Sequence, residues 1–367
     1  MLNADRLQKL ASVLFSAGID AIYIGPSTDL EYLAELQLFD DQRTKGLVFT
    51  RECKTFGLVP LLYEQEMRRA FGPDVPCMVW SDHEGFRGAF AKGCDELGLR
   101  GKRIAINDGV RATDLIDMRL TVEADYVNGA YTLSPLRRVK DVEELNLMRK
   151  ASEIADRVIE DISKFLRPGM VEREVKQFLL RRFIELGAEG PSFSPIVASG
   201  PGGSMPHYRK EDRALTEGDF VVIDMGCRYR GYCSDITRTF CIGEPDEEQK
   251  KIYGVVLAAQ KTGEAAVKAG ATGQDVDRAA RKVIVDAGYG PNFLNRLGHG
   301  IGIALHEHPY IIEGNDVPLA PGNVFSIEPG IYLPEKYGVR IENLVAVRPD
   351  GTGEALNKFT RDLIVVK

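Results

Sequence analysis

The sequence predicts a two-domain α/β protein, with a small α/β domain over residues 1–135 and a mixed α and β domain over residues 136–367. Three observations predict it. The chain has 367 residues, more than twice the ~150 that suit a single domain. Strand-like and helix-like segments alternate through the first third. After that, an order of two helices followed by hairpin-like strands occurs twice. Hydrophobic residues make up 44% and charged residues 28%, values of an ordinary globular chain that exclude general disorder. Lys and Arg number 47 against 54 Asp and Glu, a formal net charge of −7. No basic stripe interrupts that balance, which argues against a nucleic-acid binder.

Residues Leu7, Leu10, Ala11, Leu14 and Phe15 fall at helical spacing and form an amphipathic first helix. Asp5 and Asp20 flank it and no small-residue cleavage site follows, so it is not read as a secretion signal. Ala21–Ile24 reads as a strand and Leu30–Leu36 as a helix. Two strands, Gly46–Thr50 and Thr55–Val59, then flank the polar turn Arg51–Lys54. The region of Met67 is helical, Cys77–Trp80 extended, Phe86–Leu97 helical and Arg103–Asn107 a further strand. Such alternation indicates a mixed or parallel sheet. A boundary is expected near Ser134–Arg138, at Pro135.

A long helix follows, with Leu145, Met148, Ala151, Ile154, Ala155, Val158 and Ile162 on one face; Pro168–Gly169 ends it. Lys140, Asp141, Glu143 and Glu144 read as its solvated face. Further helices are expected over Val171–Leu186, Glu247–Ala269 and Asp275–Ala287, with strand-rich sequence after each pair. The six cysteines contain no CxxC pair and read as small buried hydrophobes of a reducing compartment, so a cytoplasmic location is expected. No apolar run of ~18 residues appears.

Chemistry concentrates in the last 150 or so residues. Asp224 closes the apolar run Val221–Ile223, and Asp235 follows Gly231-Tyr232-Cys233-Ser234. A hairpin centred on Tyr229–Arg230 would set the two acids directly opposite each other, with Cβ atoms ~5 Å apart. Glu328 and Glu342 each follow an isoleucine, share parity, and flank the turn-like Pro334–Glu335–Lys336. Between the two pairs lies Gly298-His299-Gly300. Paired carboxylates in apolar strands repel unless protonated or neutralised by a cation. Four acids and one imidazole suit two divalent ions of moderate hardness, Mn2+ foremost, better than a sulfur-rich structural zinc site.

On these segments residues ~140–367 resemble the creatinase/aminopeptidase P metallopeptidases, and most closely the Xaa-Pro dipeptidases or prolidases. The resemblance implies a creatinase-like first domain and a catalytic domain of pita-bread form. It further implies that Asp224, Asp235, His299, Glu328 and Glu342 ligate two metal ions, Asp235 and Glu342 bridging them, with Mn2+, Co2+, Zn2+ or Fe2+ as occupants. By the same resemblance His207, in Pro206-His207, and His306, in His306-Glu307-His308-Pro309, are the catalytic histidines. Arg340 matches an arginine that supports the ligands, and Tyr332 matches a further family position. The implied reaction is hydrolysis of the Xaa–Pro bond by an acidified water, with Glu328 carrying the proton, in a homodimer. Asn295 stands where many relatives have a substrate-contacting histidine, and Asn343 where an Asp is common. Dipeptides therefore remain open against longer peptides. A creatinase-type hydrolase of a small C–N substrate, or a non-catalytic binding module, would require the loss of ligands that this chain retains.

Overall fold

The computed structural model describes residues 2–38 and 41–367. It divides into two units that part between Arg137 and Arg138.

The first unit is built on one mixed six-stranded sheet. Its strands run in the order Cys77–Trp80, Thr55–Pro60, Gly46–Thr50, Ala21–Ile24, Arg103–Ile106 and Asp125–Asn128. The central strand pairs antiparallel with Gly46–Thr50 and parallel with Arg103–Ile106. Both neighbours bury it, which explains its unbroken apolar sequence Ala-Ile-Tyr-Ile. Tyr23, Phe56, Phe90 and Met118 lead the core beneath the sheet. The boundary region is helical. Pro135 lies inside a helix, Ala130–Arg138, where a proline forgoes one intrahelical bond without preventing a short helix.

The second unit contains two helix pairs, each over its own sheet and core. Helices Val142–Phe165 and Glu172–Glu185 share a core with the strands Phe220–Met225 and Ile236–Ile242. These strands belong to a four-stranded sheet completed by Ile196–Ser199 and Ile364–Val366. Helices Glu247–Ala265 and Gly273–Asp286 share a second core with Val324–Ile327 and Asn343–Val347. Those two strands sit in a five-stranded sheet with Glu307–Ile311, Gly298–Gly300 and Gly353–Ala355. The third helix stops short of Ala269, because the amide of Ala269 bonds the carbonyl of Gly351 instead of continuing the helix.

Helix Val142–Phe165 buries the expected three-four stripe, and a capping box of Asp141 and Glu144 starts it. The reading of its first charged residues as a solvated face needs correction. Asp141 and Glu143 are exposed, but Lys140 and Glu144 are buried. Glu144 accepts a 2.7 Å hydrogen bond from the Tyr232 hydroxyl and Lys140 pairs with Glu307, so each charge keeps a partner inside the protein. The cysteine reading is corrected too. All six thiols are free, but Cys53 is exposed and Cys77 only partly covered.

Candidate metal centre

Asp224 lies near the end of the Phe220–Met225 strand, and Asp235 in the irregular link just before Ile236–Ile242. Their expected direct opposition is not found. Tyr229 pairs with Tyr232, so the turn is Arg230–Gly231, one residue further on than expected. Both turn residues have positive φ, at 47° and 84°, the backbone of a tight hairpin turn for which the glycine is suited. The shift places Thr237, not Asp235, opposite Asp224. Asp235 consequently approaches from the strand break instead of along the ladder.

The second acid pair behaves differently. Leu333 pairs with Tyr337 across the three-residue turn Pro334–Lys336, and Ile327 pairs with Asn343 beyond it. Glu328 and Glu342 occupy the gap between these two ladders, at facing positions of one register. His299 sits between, on the short strand Gly298–Gly300. A Cβ on Gly298 would stand 1.9 Å from the carbonyl oxygen of Ser326, so no other residue allows the strand to pack this closely.

These residues share one cavity of about 840 Å³, whose walls include Asp224, Asp235, His299, Glu328, Glu342, His207, His306 and Arg340. One ligand atom each from Asp235, His299 and Glu342 lies within 4.8 Å of the others. His299 Nε2 is 3.4 Å from Glu328 Oε1 and 3.7 Å from Asp235 Oδ2. Its Nδ1 lies 3.1 Å from the carbonyl oxygen of Gly300, which can only accept. The proton therefore belongs on Nδ1, leaving the Nε2 lone pair turned toward the acids.

Supporting contacts fix the carboxylates. Arg340, itself buried, donates from Nη2 to Asp224 Oδ2 at 2.5 Å and from Nη1 to the Tyr332 hydroxyl at 2.8 Å. Thr237 donates to Glu342 Oε2 at 2.6 Å, and Ser326 donates to Glu328 Oε1 at 3.0 Å. After these bonds, Asp224 Oδ1, Asp235 Oδ1 and Glu342 Oε1 remain buried with no hydrogen-bond partner. Leaving three carboxylate oxygens in this state is costly unless a cation meets them. The donor set, four carboxylates and a neutral imidazole, fits a pair of divalent ions.

The electrostatics agree. Burial raises Asp235 well above the carboxylate range, helped by Glu342, Asp224 and Glu328. Burial likewise raises Glu342, with Glu328 and Asp224 adding to it. Burial pushes Glu328 up to about 7 against the pull of Arg340. His299 falls to about 3, through burial first and His306 second, so its imidazole is neutral. His306, its ring centre 4.2 Å from that of His299, is also held below the usual imidazole range, chiefly by burial.

The histidine loops are anchored by residues that the sequence did not single out. His207 is exposed, but the next residue, Tyr208, is buried and donates to Glu172 Oε2 at 2.9 Å. Glu172 is wholly buried and also accepts from the amide and hydroxyl of Ser199, at 2.8 and 2.7 Å. The segment Ser199–Gly203 is thus pinned at its start and continues as a short 3-10 turn. Asn343 is buried and accepts from Arg238, whose other bonds go to backbone carbonyls. A neutral amide therefore meets this buried guanidinium.

The pattern of metallopeptidase family M24 matches residues 146–349, more than half of the chain. The chain belongs to metallopeptidase family M24. Residues 6–139 of this M24 chain match the creatinase/prolidase N-terminal domain, so both expected domains are present. It is 36% identical over 366 residues to the probable dipeptidase PepE of Mycobacterium tuberculosis, covering 99% of this chain and 96% of that one. Over 372 residues it is 32% identical to the Xaa-Pro dipeptidase of Pyrococcus horikoshii, covering 98% and 99%. The crystal structure of a prolidase from Thermococcus sibiricus superposes with a TM-score of 0.94 at 35% identity, covering both chains fully at 100%. Membership makes the chain a hydrolase that works with divalent metal ions. No described helix is long and apolar enough to cross a membrane.

Proposed function

We propose that this M24 chain hydrolyses the Xaa–Pro bond of short peptides, with two divalent ions held by Asp224, Asp235, His299, Glu328 and Glu342. One observation carries the reading: three unpartnered, buried carboxylate oxygens converge with the His299 Nε2 lone pair on one cavity. The names of the similar chains supply the bond class.

The ions, when bound, supply Lewis acidity and a water acidified to neutral pH. Everything else falls to the side chains. Glu328, beside the attacking water, takes its proton and passes it to the proline nitrogen. His306, exposed to the cavity and held below the usual imidazole range, donates to the oxygen of the carbonyl under attack. His207, on the exposed side of the cavity, orients the scissile amide. Arg340 touches no reacting atom; it holds Asp224 in place from behind. A proline nitrogen carries no N–H, so a site that asks none of the scissile nitrogen admits the imino acid.

The oxygen-rich donor set favours Mn2+ among the possible ions. Six free thiols suit a reducing, cytoplasmic setting. A homodimer is the assembly that the family resemblance suggests. The test combines elemental analysis of the purified protein with turnover of Xaa-Pro dipeptides and Xaa-Pro-Xaa tripeptides in added Mn2+. Two ions per chain and metal-dependent release of the residue before proline are expected. Full turnover after exhaustive chelation, or cleavage indifferent to proline, would overturn the reading.

A further inference from the structure

Glu342 sits in a break between two strands, where neither ladder reaches it. The pairing of Gly330–Leu333 with Tyr337–Arg340 ends at Arg340, and that of Val324–Ile327 with Asn343–Val347 begins at Asn343. Support comes instead from the strand Ile236–Ile242 of the other sheet. The Glu342 amide donates to the Thr237 carbonyl at 3.1 Å, and the Thr237 hydroxyl donates to Glu342 Oε2 at 2.6 Å. The third hold is Arg238, whose Nη1 donates to the Glu342 carbonyl at 2.6 Å.

Arg238 is 1% exposed, and all five of its N–H groups are engaged. Nε donates to the Thr360 carbonyl, Nη1 to those of Thr237 and Glu342, and Nη2 to the Phe359 carbonyl and Asn343 Oδ1, at 2.6 to 2.9 Å. Every acceptor is neutral, so the guanidinium acts as a brace with five arms and not as half of an ion pair. A lysine, with three donors at one point, cannot span these acceptors. Two of the carbonyls belong to the segment Asn357–Thr360, which is held on its other side by Asp156, on helix Val142–Phe165. Asp156 accepts from the Lys358 amide at 2.5 Å and from Asn357 Nδ2 at 3.4 Å. Asn357 Oδ1 in turn accepts from the amide of Leu344, two residues after Glu342, at 2.8 Å. The segment is thus a strap between Arg238 and Asp156, fastened beside Glu342. Neither Arg238 nor Asp156 belongs to the wall of the acid cavity.

We propose that Arg238, together with the Asn357–Thr360 strap, is a positioning residue of the metal centre that aims the Glu342 carboxylate so that two ions can share it. The proposal rests on the two-ion reading above. Thr237 occupies Oε2 from one side, while Oε1 is buried without a partner. A carboxylate shared by two ions has to meet both at once, so a small swing of the backbone at residue 342 takes it away from one of them. Asp224, Asp235, His299 and Glu328 are held by other contacts and remain for the second ion. Loosening the strap therefore weakens one ion far more than the other.

The experiment titrates Mn2+ into the metal-free parent, D156N, R238M and R238K, reading the ions bound per chain and the electron paramagnetic resonance spectrum at saturation. In the parent, two ions and the spectrum of an exchange-coupled pair are expected. D156N and R238M should keep one ion at parental affinity and bind the other about 10- to 100-fold more weakly, the usual effect of removing a support behind a ligand. The hyperfine sextet of an isolated Mn2+ ion should then replace the coupled spectrum. R238K, which keeps the charge but not the five arms, should fall between. D156N, a milder change at a partly exposed residue, decides the matter if R238M does not fold. Parental affinity for both ions in either folded variant overturns the brace, as does an equal weakening of both ions. A parent that binds fewer than two ions overturns the two-ion reading itself.

Discussion

Lys140 Nζ stands 2.5 Å from Glu307 Oε1, with both side chains almost fully out of solvent and the two residues 167 positions apart in sequence. Glu307 directly follows His306. The pair therefore ties the entry to the first helix of the second unit to the loop of a candidate catalytic histidine. Removing one partner of a buried pair costs up to roughly 3–5 kcal/mol, depending on what else meets the charge left behind. K140M should lose about that much in chemical denaturation and should lower kcat by displacing His306. K140M/E307Q should recover most of the stability. A single variant as stable as the parent would mean that the pair is solvated in solution.

The convergence of carboxylates predicts the next outcome. D235N and E342Q each remove one charge from a cluster whose members raise one another's affinity for protons. Both should lose bound metal and turnover while keeping the parent's circular dichroism. In metal-free samples both should melt higher than the parent, since a repulsion has been removed. Turnover at parental rates in either variant would contradict the assignment of these residues as ligands.

His306 belongs to a separate category. It lies against His299, but the reading above places it at the carbonyl under attack and not among the five ligands. H306A should therefore retain both ions and lose about 10²-fold in kcat, the scale of a single oxyanion donor. Loss of metal from H306A would make it a ligand instead.

The line between what the sequence revealed and what it hid follows sequence distance. His299 between glycines and the Glu328–Glu342 parity are local patterns, and each fixes a backbone arrangement within one hairpin. Asp224 and Asp235 are legible as a pair, yet their turn falls one residue later than the spacing predicts and Asp224 faces Thr237, because only the positive φ of Arg230 and Gly231 sets where the turn falls. Lys140 and Glu144 read as surface charges because their partners, Glu307 and Tyr232, lie 167 and 88 residues away. Glu172 gave no signal for the same reason. A glutamate at a helix start usually faces water, and nothing nearby foretells Ser199 and Tyr208.

Glu328 supplies a dependence on pH whose sign can be worked out. In the metal-free protein burial raises its carboxyl from an ordinary 4.5 to about 7. Below pH 4.5 the group is protonated in both folded and unfolded chains, so it adds no pH dependence. Between 4.5 and 7 the folded form keeps a proton that the unfolded form has released, and stability falls as pH rises. Above 7 the whole cost of the buried charge is present. E328Q carries no such charge. The melting temperature of metal-free E328Q minus that of the parent should therefore rise through this window by a few degrees and level off above it. Comparing the two proteins cancels the opposite contribution of His299, whose lowered affinity for protons is common to both. Adding Mn2+ above pH 7 should reverse the order, since the charge that destabilises the empty site attracts the ion. A difference that does not vary with pH would place the Glu328 carboxylate in contact with solvent.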